Sequence, residues 1–102
     1  MSILNVVEGV QYQSADESLA YQITTTNWVS SPTSTSVVAV DETTGVDVTT
    51  TVFPTNSPTE SGDVISLSLL KALTRDHRYR IEVKFTVSSN IYECRFFVEC
   101  VF

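Results

Sequence analysis

From Arg78 to Val87 the chain alternates strictly, with Tyr79, Ile81, Val83, Phe85 and Val87 separated by Arg80, Glu82, Lys84 and Thr86. A period of two places the first set on one face of a strand and the second on the other, which predicts a half-buried β-strand. Ser88-Ser89-Asn90 reads as a turn. The run from Ile91 to Phe102 alternates again, with Tyr92, Cys94, Phe96, Val98 and Cys100 on one side. Together the two runs predict an antiparallel hairpin with one dry face. Its wet face carries Arg80, Glu82, Lys84, Glu93, Arg95 and Glu99, whose cross-strand pairs of opposite sign contribute roughly a few tenths of a kcal/mol each. Ile91, Phe97 and Val101 interrupt that polar face, so part of it is expected to lie under the N-terminal segment, another strand or a partner. The apolar end at Phe102 predicts a last strand packed to its final residue.

Upstream, Leu19, Tyr21 and Ile23 alternate with Ala20, Gln22 and Thr24 and predict a core strand over residues 19–25. Residues 27–33 read as a loop. Ser36 to Val40 predicts the next strand, ended by Asp41-Glu42-Thr43-Thr44-Gly45, where Gly45 suits a turn that needs positive φ. Val46, Val48, Thr50 and Val52 predict a further strand. Pro54 to Gly62 reads as a polar loop, Asp63 to Leu67 as a strand, and residues 3–7 as a first strand. Leu69 to Leu73 is short enough to form a single helical turn. About seven strands at this spacing predict one all-β domain over residues 1–102, an antiparallel Greek-key sandwich.

The composition agrees with strands: Ser, Thr and Val abound and ten of the 102 residues are aromatic. With three glycines and no Gly-rich loop there is no phosphate cradle. No apolar run reaches the roughly 18–20 residues of a membrane-spanning helix. The start, Met1-Ser2-Ile3-Leu4-Asn5, shows no signal peptide, so synthesis in a reducing cytoplasm is expected. The net charge is −6, and before Lys71 there are eight acids and no Lys or Arg. Nucleic acid and anionic membrane are therefore not expected partners, since both require a concentrated basic face.

Candidate chemistry is sparse. One histidine, His77, lies in a turn between Asp76 and Arg78, which leaves a hydrolytic triad without a placed base and predicts a turn-stabilising role. Two cysteines without Cys-x-x-Cys spacing supply no recognised zinc set. Cys94 and Cys100 share a face of one strand but stand about 20 Å apart at ~3.3 Å per residue, too far to bridge. They are expected to be buried thiols. Asp41, Glu42 and Asp47 around one turn, and Asp16-Glu17 before a strand, lack calcium-loop spacing and read as solvated acids. No catalytic residue, metal site or cofactor is expected, and the protein is not expected to be an enzyme.

The most informative constellation is Leu73-Thr74-Arg75-Asp76-His77-Arg78-Tyr79. It resembles the tyrosine corner of immunoglobulin-like and fibronectin type III sandwiches, in which Leu73 would anchor the turn and Tyr79 would bond back to the upstream backbone. Further segments carry the likeness: residues 21–28 (Tyr21 to Trp28), 31–34, 40–49 with Asp41-Glu42-Thr43-Thr44-Gly45, 62–65, and 72–80. Over roughly residues 15–100 the chain is similar to small immunoglobulin-like proteins encoded among bacteriophage and prophage structural genes.

That resemblance implies a non-catalytic structural or protein-interaction module, a virion component of the capsid, neck or tail accessory kind, that contacts other protein subunits, either itself or virion proteins. It would be virion-associated after synthesis. Expected interface residues are Phe97, Val101 and Phe102 at the carboxyl end, with Trp28 and Val29 as a second patch. The alternative is a glycan- or cell-surface-binding β-sandwich module, for which Trp28 and the Asp41 to Asp47 turn are the places to look.

Overall fold

Two β-sheets enclose one core in the computed structural model, which describes residues 2–5 (by backbone), 10–25 and 30–101. In chain order the elements are β1 (Ser2–Asn5), β2 (Gln11–Gln13), β3 (Leu19–Thr24), β4 (Thr33–Asp41), β5 (Val46–Asp47), α1 (Thr49–Val52), β6 (Thr59–Ser61), β7 (Val64–Leu70), β8 (Arg78–Val87) and β9 (Asn90–Cys100). The larger sheet runs β1-β9-β8-β4-β5, and β2 also pairs with β9; the smaller runs β3-β7-β6. Both β1 and β2 lie parallel to β9, whereas the remaining pairings are antiparallel. The protein is an all-β, sandwich-like fold.

The register of the β8–β9 hairpin sets the interior. Tyr79 faces Val98, Ile81 faces Phe96, Val83 faces Cys94 and Phe85 faces Tyr92. On the other side of β8, Val37 and Ala39 of β4 stand opposite Val83 and Ile81. Side chains directly opposite in a ladder share a face, so these rows form one apolar layer. Ile23, Ile65, Leu67 and Leu70 of the smaller sheet belong to the same buried cluster. Burying a side chain of this size contributes about 1.5–3 kcal/mol, and this layer is the main stabilising term.

The smaller sheet departs from simple alternation at one place. Its register shifts between Ala20 and Gln22 against β7, where Ala20 pairs with Leu69 and Gln22 with Ser66. Such a bulge changes the phase of the side chains. Ile65 and Leu67 therefore point inward, Leu69 is left 51% exposed, and Leu70 returns to the core.

Four expectations are corrected. Val46 to Val52 is not a strand: only Val46–Asp47 pairs, and Thr49–Val52 is a helical turn. The Asp47 carboxylate starts it by accepting from the Thr49 N–H at 2.9 Å and the Thr49 hydroxyl at 2.7 Å. These bonds hold the exposed Asp47 carboxyl below its usual range. The turn buries the consecutive residues Val52 and Phe53, which a strand would send to opposite faces. Residues 69–73 are not helical; β7 continues to Leu70, and the Lys71 N–H then bonds Val52 O at 3.0 Å. The polar segment from Pro54 to Gly62 is not all loop, because Thr59–Ser61 adds a short edge strand to β7. The last strand ends at Cys100, and Val101 beyond it is 38% exposed rather than packed. Phe102 lies outside the described residues.

Gly45 sits at φ +76°, as a turn glycine there requires, with its N–H bonded to Asp41 O at 2.7 Å. At the approach to β8, Leu73 and Tyr79 are both buried. The Tyr79 hydroxyl accepts the Thr74 N–H at 2.6 Å, which closes the connection from the smaller sheet to the larger one. Asp76, at φ +69°, gives its N–H to Cys100 O at 2.8 Å, and Cys100 returns its own N–H to His77 O at 3.0 Å. The corner is thereby tied to the end of β9.

Two outcomes follow from this packing. Tyr79→Phe keeps the ring but removes the acceptor of the Thr74 N–H, and a urea melt should register a loss of about 0.5–1.5 kcal/mol with the β-sheet circular dichroism retained. Burial, with a smaller contribution from Glu93, pushes the Cys94 thiol up from 9.0 to about 12. Below pH 9 the proton is held in both folded and unfolded states. Between 9 and 12 only the folded state holds it, so stability should decline with rising pH over that window, and less in Cys94→Ala than in the parent.

Candidate functional site

The face of the larger sheet that points away from the core carries the complementary half of the alternation. On β8 it carries Arg78, Arg80, Glu82, Lys84 and Thr86; on β9 it carries Ile91, Arg95, Phe97 and Glu99, with Glu93 in the same row but buried. Their register puts Arg78 opposite Glu99, Arg80 opposite Phe97, Glu82 opposite Arg95 and Lys84 opposite Glu93. Val38 and Val40 of β4 lie beside Glu82 and Arg80, and Tyr12 of β2 lies beside Glu99.

A ladder of ion pairs crosses one end of this face. Glu42 meets Arg78 Nε at 3.3 Å and Arg80 Nη1 at 3.0 Å, and Glu82 meets Arg80 Nε at 2.9 Å. The Arg78 guanidinium also sits 4.4 Å over the Phe97 ring, a cation–π contact. Phe97 is therefore half-buried by a neighbour on its own face. Tyr12 is 62% exposed, Ile91 52% and Val38 37%, so the face offers apolar surface between paired charges.

Behind one end of this face lies the network built around Asp41. The buried Asp41 carboxylate accepts the Thr43 N–H at 2.9 Å and the Thr44 N–H at 3.3 Å through Oδ1, and its Oδ2 accepts from His77 Nδ1 at 2.6 Å. The Arg78 N–H bonds Thr43 Oγ1 at 3.0 Å, and the Glu42 N–H bonds Arg78 O at 2.8 Å. The β4–β5 turn and the start of β8 are joined by these bonds. His77 thus has the turn-stabilising partner that a histidine in a corner needs, although it stands 36 residues away in sequence.

A second buried polar group was not singled out by the sequence. Gln13, at the end of β2, donates through Nε2 to Leu70 O at 2.7 Å and to Glu17 O at 3.0 Å, and its Oε1 accepts the Tyr21 hydroxyl at 2.9 Å. It bridges the edge of the larger sheet to β7 and β3. Tyr21 packs its ring against Phe96, centroids 5.4 Å apart, and burial followed by the Glu17 charge raises its hydroxyl pKa. One Gln in a polar N-terminal stretch carries no pattern that would reveal this role.

The expected interface residues separate. Phe97 and Val101 lie near one end of β9, and the Val101 N–H bonds Gln13 O at 3.1 Å. Trp28, Val29 and Phe102 lie outside the described residues. The structure adds Tyr12, Val38 and Val40 to the face, none of which the sequence marked. Tyr12 belongs to a three-residue strand, and Val38 and Val40 occupy the outward phase of a strand read only for its inward one. A separate depression is lined by Pro54, Thr55, Ser68, Leu69 and Lys71. Among the described residues no group of three or more His, Cys, Asp or Glu side chains is arranged to hold a metal ion. No helix there is long and apolar enough to cross a membrane.

No protein-family model matches this sequence, and comparisons with curated proteins and with solved structures find no match.

The two charge systems should differ sharply in energetic weight. Asp41→Ala strips acceptors from two backbone N–H groups and from His77, and chemical denaturation should show a loss of about 2–3 kcal/mol. Glu42→Gln removes half-exposed ion pairs and should cost less than about 1 kcal/mol, with the difference shrinking further in high salt.

Proposed function

We propose that this chain is a non-catalytic structural or protein-interaction module with an immunoglobulin-like sandwich, working as a component of a phage or prophage particle. The fold type is supported by the parallel seating of β1 and β2 on β9, the order β9-β8-β4-β5, and the separate β3-β7-β6 sheet. It is supported also by the Leu73–Tyr79 corner, whose hydroxyl bond to Thr74 matches the motif that the sequence resembles. The particle assignment rests on that resemblance.

The observation that carries the interaction reading is the outward face of the larger sheet. It combines exposed Tyr12, Val38 and Ile91 with Arg78, Arg80, Glu42 and Glu82, which are paired among themselves. Apolar surface of this kind, beside charges that are paired within the chain, marks a contact face. Contact chemistry, not turnover, is what such a face provides. The carbohydrate reading rests on Trp28, outside the described residues, and on a turn whose Asp41 is already engaged by His77, Thr43 and Thr44.

Particles purified from the producing cell and probed with an antibody to this chain test the assignment. Gold label fixed at one position on capsid, neck or tail is the expected result. Particles free of the chain, from cells that hold it in abundance, would overturn it.

A further inference from the structure

We propose that the open margin of β3 receives an extended segment of another protein, added to the smaller sheet as a further strand, with apolar residues at alternate positions and Lys or Arg at its ends. This margin lies apart from the outward face of the larger sheet, and its role does not depend on the particle assignment.

Hydrogen bonding locates the margin. β3 has β7 on one side and, among the described residues, no strand on the other. The Thr25 N–H bonds Asp63 O at 2.8 Å, so Thr25 with Asp63, and two residues earlier Ile23 with Ile65, are the pairs that exchange bonds across the ladder. Thr24 and Gln22 alternate with them, and their N–H and C=O groups point away from β7. Ala20 continues the row two residues further along. The register shift beside it belongs to β7, which has two residues, Leu67 and Ser68, where β3 has Tyr21 alone. β3 itself is uninterrupted, and Ala20, Gln22 and Thr24 are all exposed.

The chain closes its other long margin. On the free side of β4 the Ala39 N–H bonds Thr49 Oγ1 at 2.9 Å, Ala39 O accepts the Val48 N–H at 2.9 Å, and Val37 O accepts from Asn56 Nδ2 at 3.0 Å. Among the described residues no such bond reaches the main chain of Ala20, Gln22 or Thr24 on its open side. Leu19–Thr24 also holds no Lys, no Pro and no inserted residue, the devices that keep an edge strand from pairing. An extended chain laid along it meets a row of unpaired main-chain donors and acceptors, the basis of strand addition.

Side chains and charge define the occupant. Leu19 and Tyr21 are only partly buried at the rim of the core, beside the buried Ile23. A strand added here sets every second side chain next to these three, which calls for apolar residues at those positions. Asp16 and Glu17 precede β3, and Asp63 stands across from Thr25 just after it. None of these three carboxylates has a Lys or Arg partner among the described residues. Lys71, which follows the Leu70 opposite Leu19, lines the depression with Pro54 and Thr55. A second copy fits this edge poorly, because two β3 strands paired antiparallel bring the acidic start of one to the acidic end of the other. A segment with a base at each end meets an acid at each end.

Amide hydrogen exchange followed by NMR on the purified full chain tests this, with a synthetic peptide of alternating Val and Thr that carries a Lys at each end. In the free chain the Gln22 and Thr24 amides should exchange at least about tenfold faster than the Ile23 amide between them. Peptide at about 2 mM should slow Gln22 and Thr24 about tenfold, as a Kd near 0.2 mM gives. The same peptide with Glu at each end should slow them less than about twofold. Gln22 and Thr24 as protected as Ile23 in the free chain would show the margin already covered and overturn the proposal. So would a Lys-ended peptide that slows neither amide, or a Glu-ended one that slows both equally well. None of these results bears on whether the chain is found in particles, so the two readings fail separately.

Discussion

The alternation along β8 and β9 is the constraint on which the rest of the structure depends. Ten residues of β8 and eleven of β9 pair over nearly their whole length, and every second side chain is committed to the same interior. A slip of one residue would turn Ile81, Val83, Cys94 and Phe96 outward and bury Arg80, Glu82, Lys84 and Arg95, at a cost far above the stability of any small domain. Once that register is fixed, β4 must join β8 with Val37 and Ala39 inward, and the smaller sheet must supply the cover. Both edges of the hairpin are then in use: β4 occupies the side of β8, and β1 and β2 share the side of β9.

The same constraint creates the outward face. Residues excluded from the interior by the two-residue period have to satisfy one another, and Arg78, Arg80, Glu42 and Glu82 do so in a short ladder. Because β4 contributes Val38 and Val40 at its outward positions, and β2 contributes Tyr12, the ladder is flanked by apolar surface. The corner before β8 supports this arrangement from below. The Tyr79 hydroxyl fixes the backbone at Thr74, while Asp41 and His77 fasten the β4–β5 turn to the start of β8, holding Glu42 within reach of both arginines.

What was legible in the sequence was what repeats. The hairpin, the strands near residues 19–24 and 36–40, and the Gly45 turn follow from periodicity and turn chemistry, both local properties. The reading of Val46 to Val52 as a strand failed because Val and Thr at alternating positions fit a strand as well as a helical turn. The deciding fact, the room for Val52 and Phe53 together under the end of the sandwich, is tertiary. Leu69 and Leu70 could not be assigned to faces because a bulge opposite residues 20–22 changes the phase between Ser66 and Leu69. Apart from Glu17, the partners of Gln13 and of the Asp41–His77 pair stand between 8 and 57 residues away, and no single-sequence pattern encodes those distances. Of the residues that make the outward face, the sequence marked the charged rows, Ile91 and Phe97. It missed Tyr12, Val38 and Val40, which are apolar residues on strands judged by their inward halves.

Native-state hydrogen exchange measures the central claim directly. If the β8–β9 register organises the fold, the amides of Ile81, Val83, Cys94 and Phe96 exchange only through global unfolding, with protection that follows the denaturant stability of the whole domain. Amides of β3 and β6 should open earlier, through local fluctuations of the smaller sheet. The contradictory result is a β8–β9 pair that exchanges by local opening while the β3–β7 pair stays protected to the global limit, which would place the organising element in the other sheet.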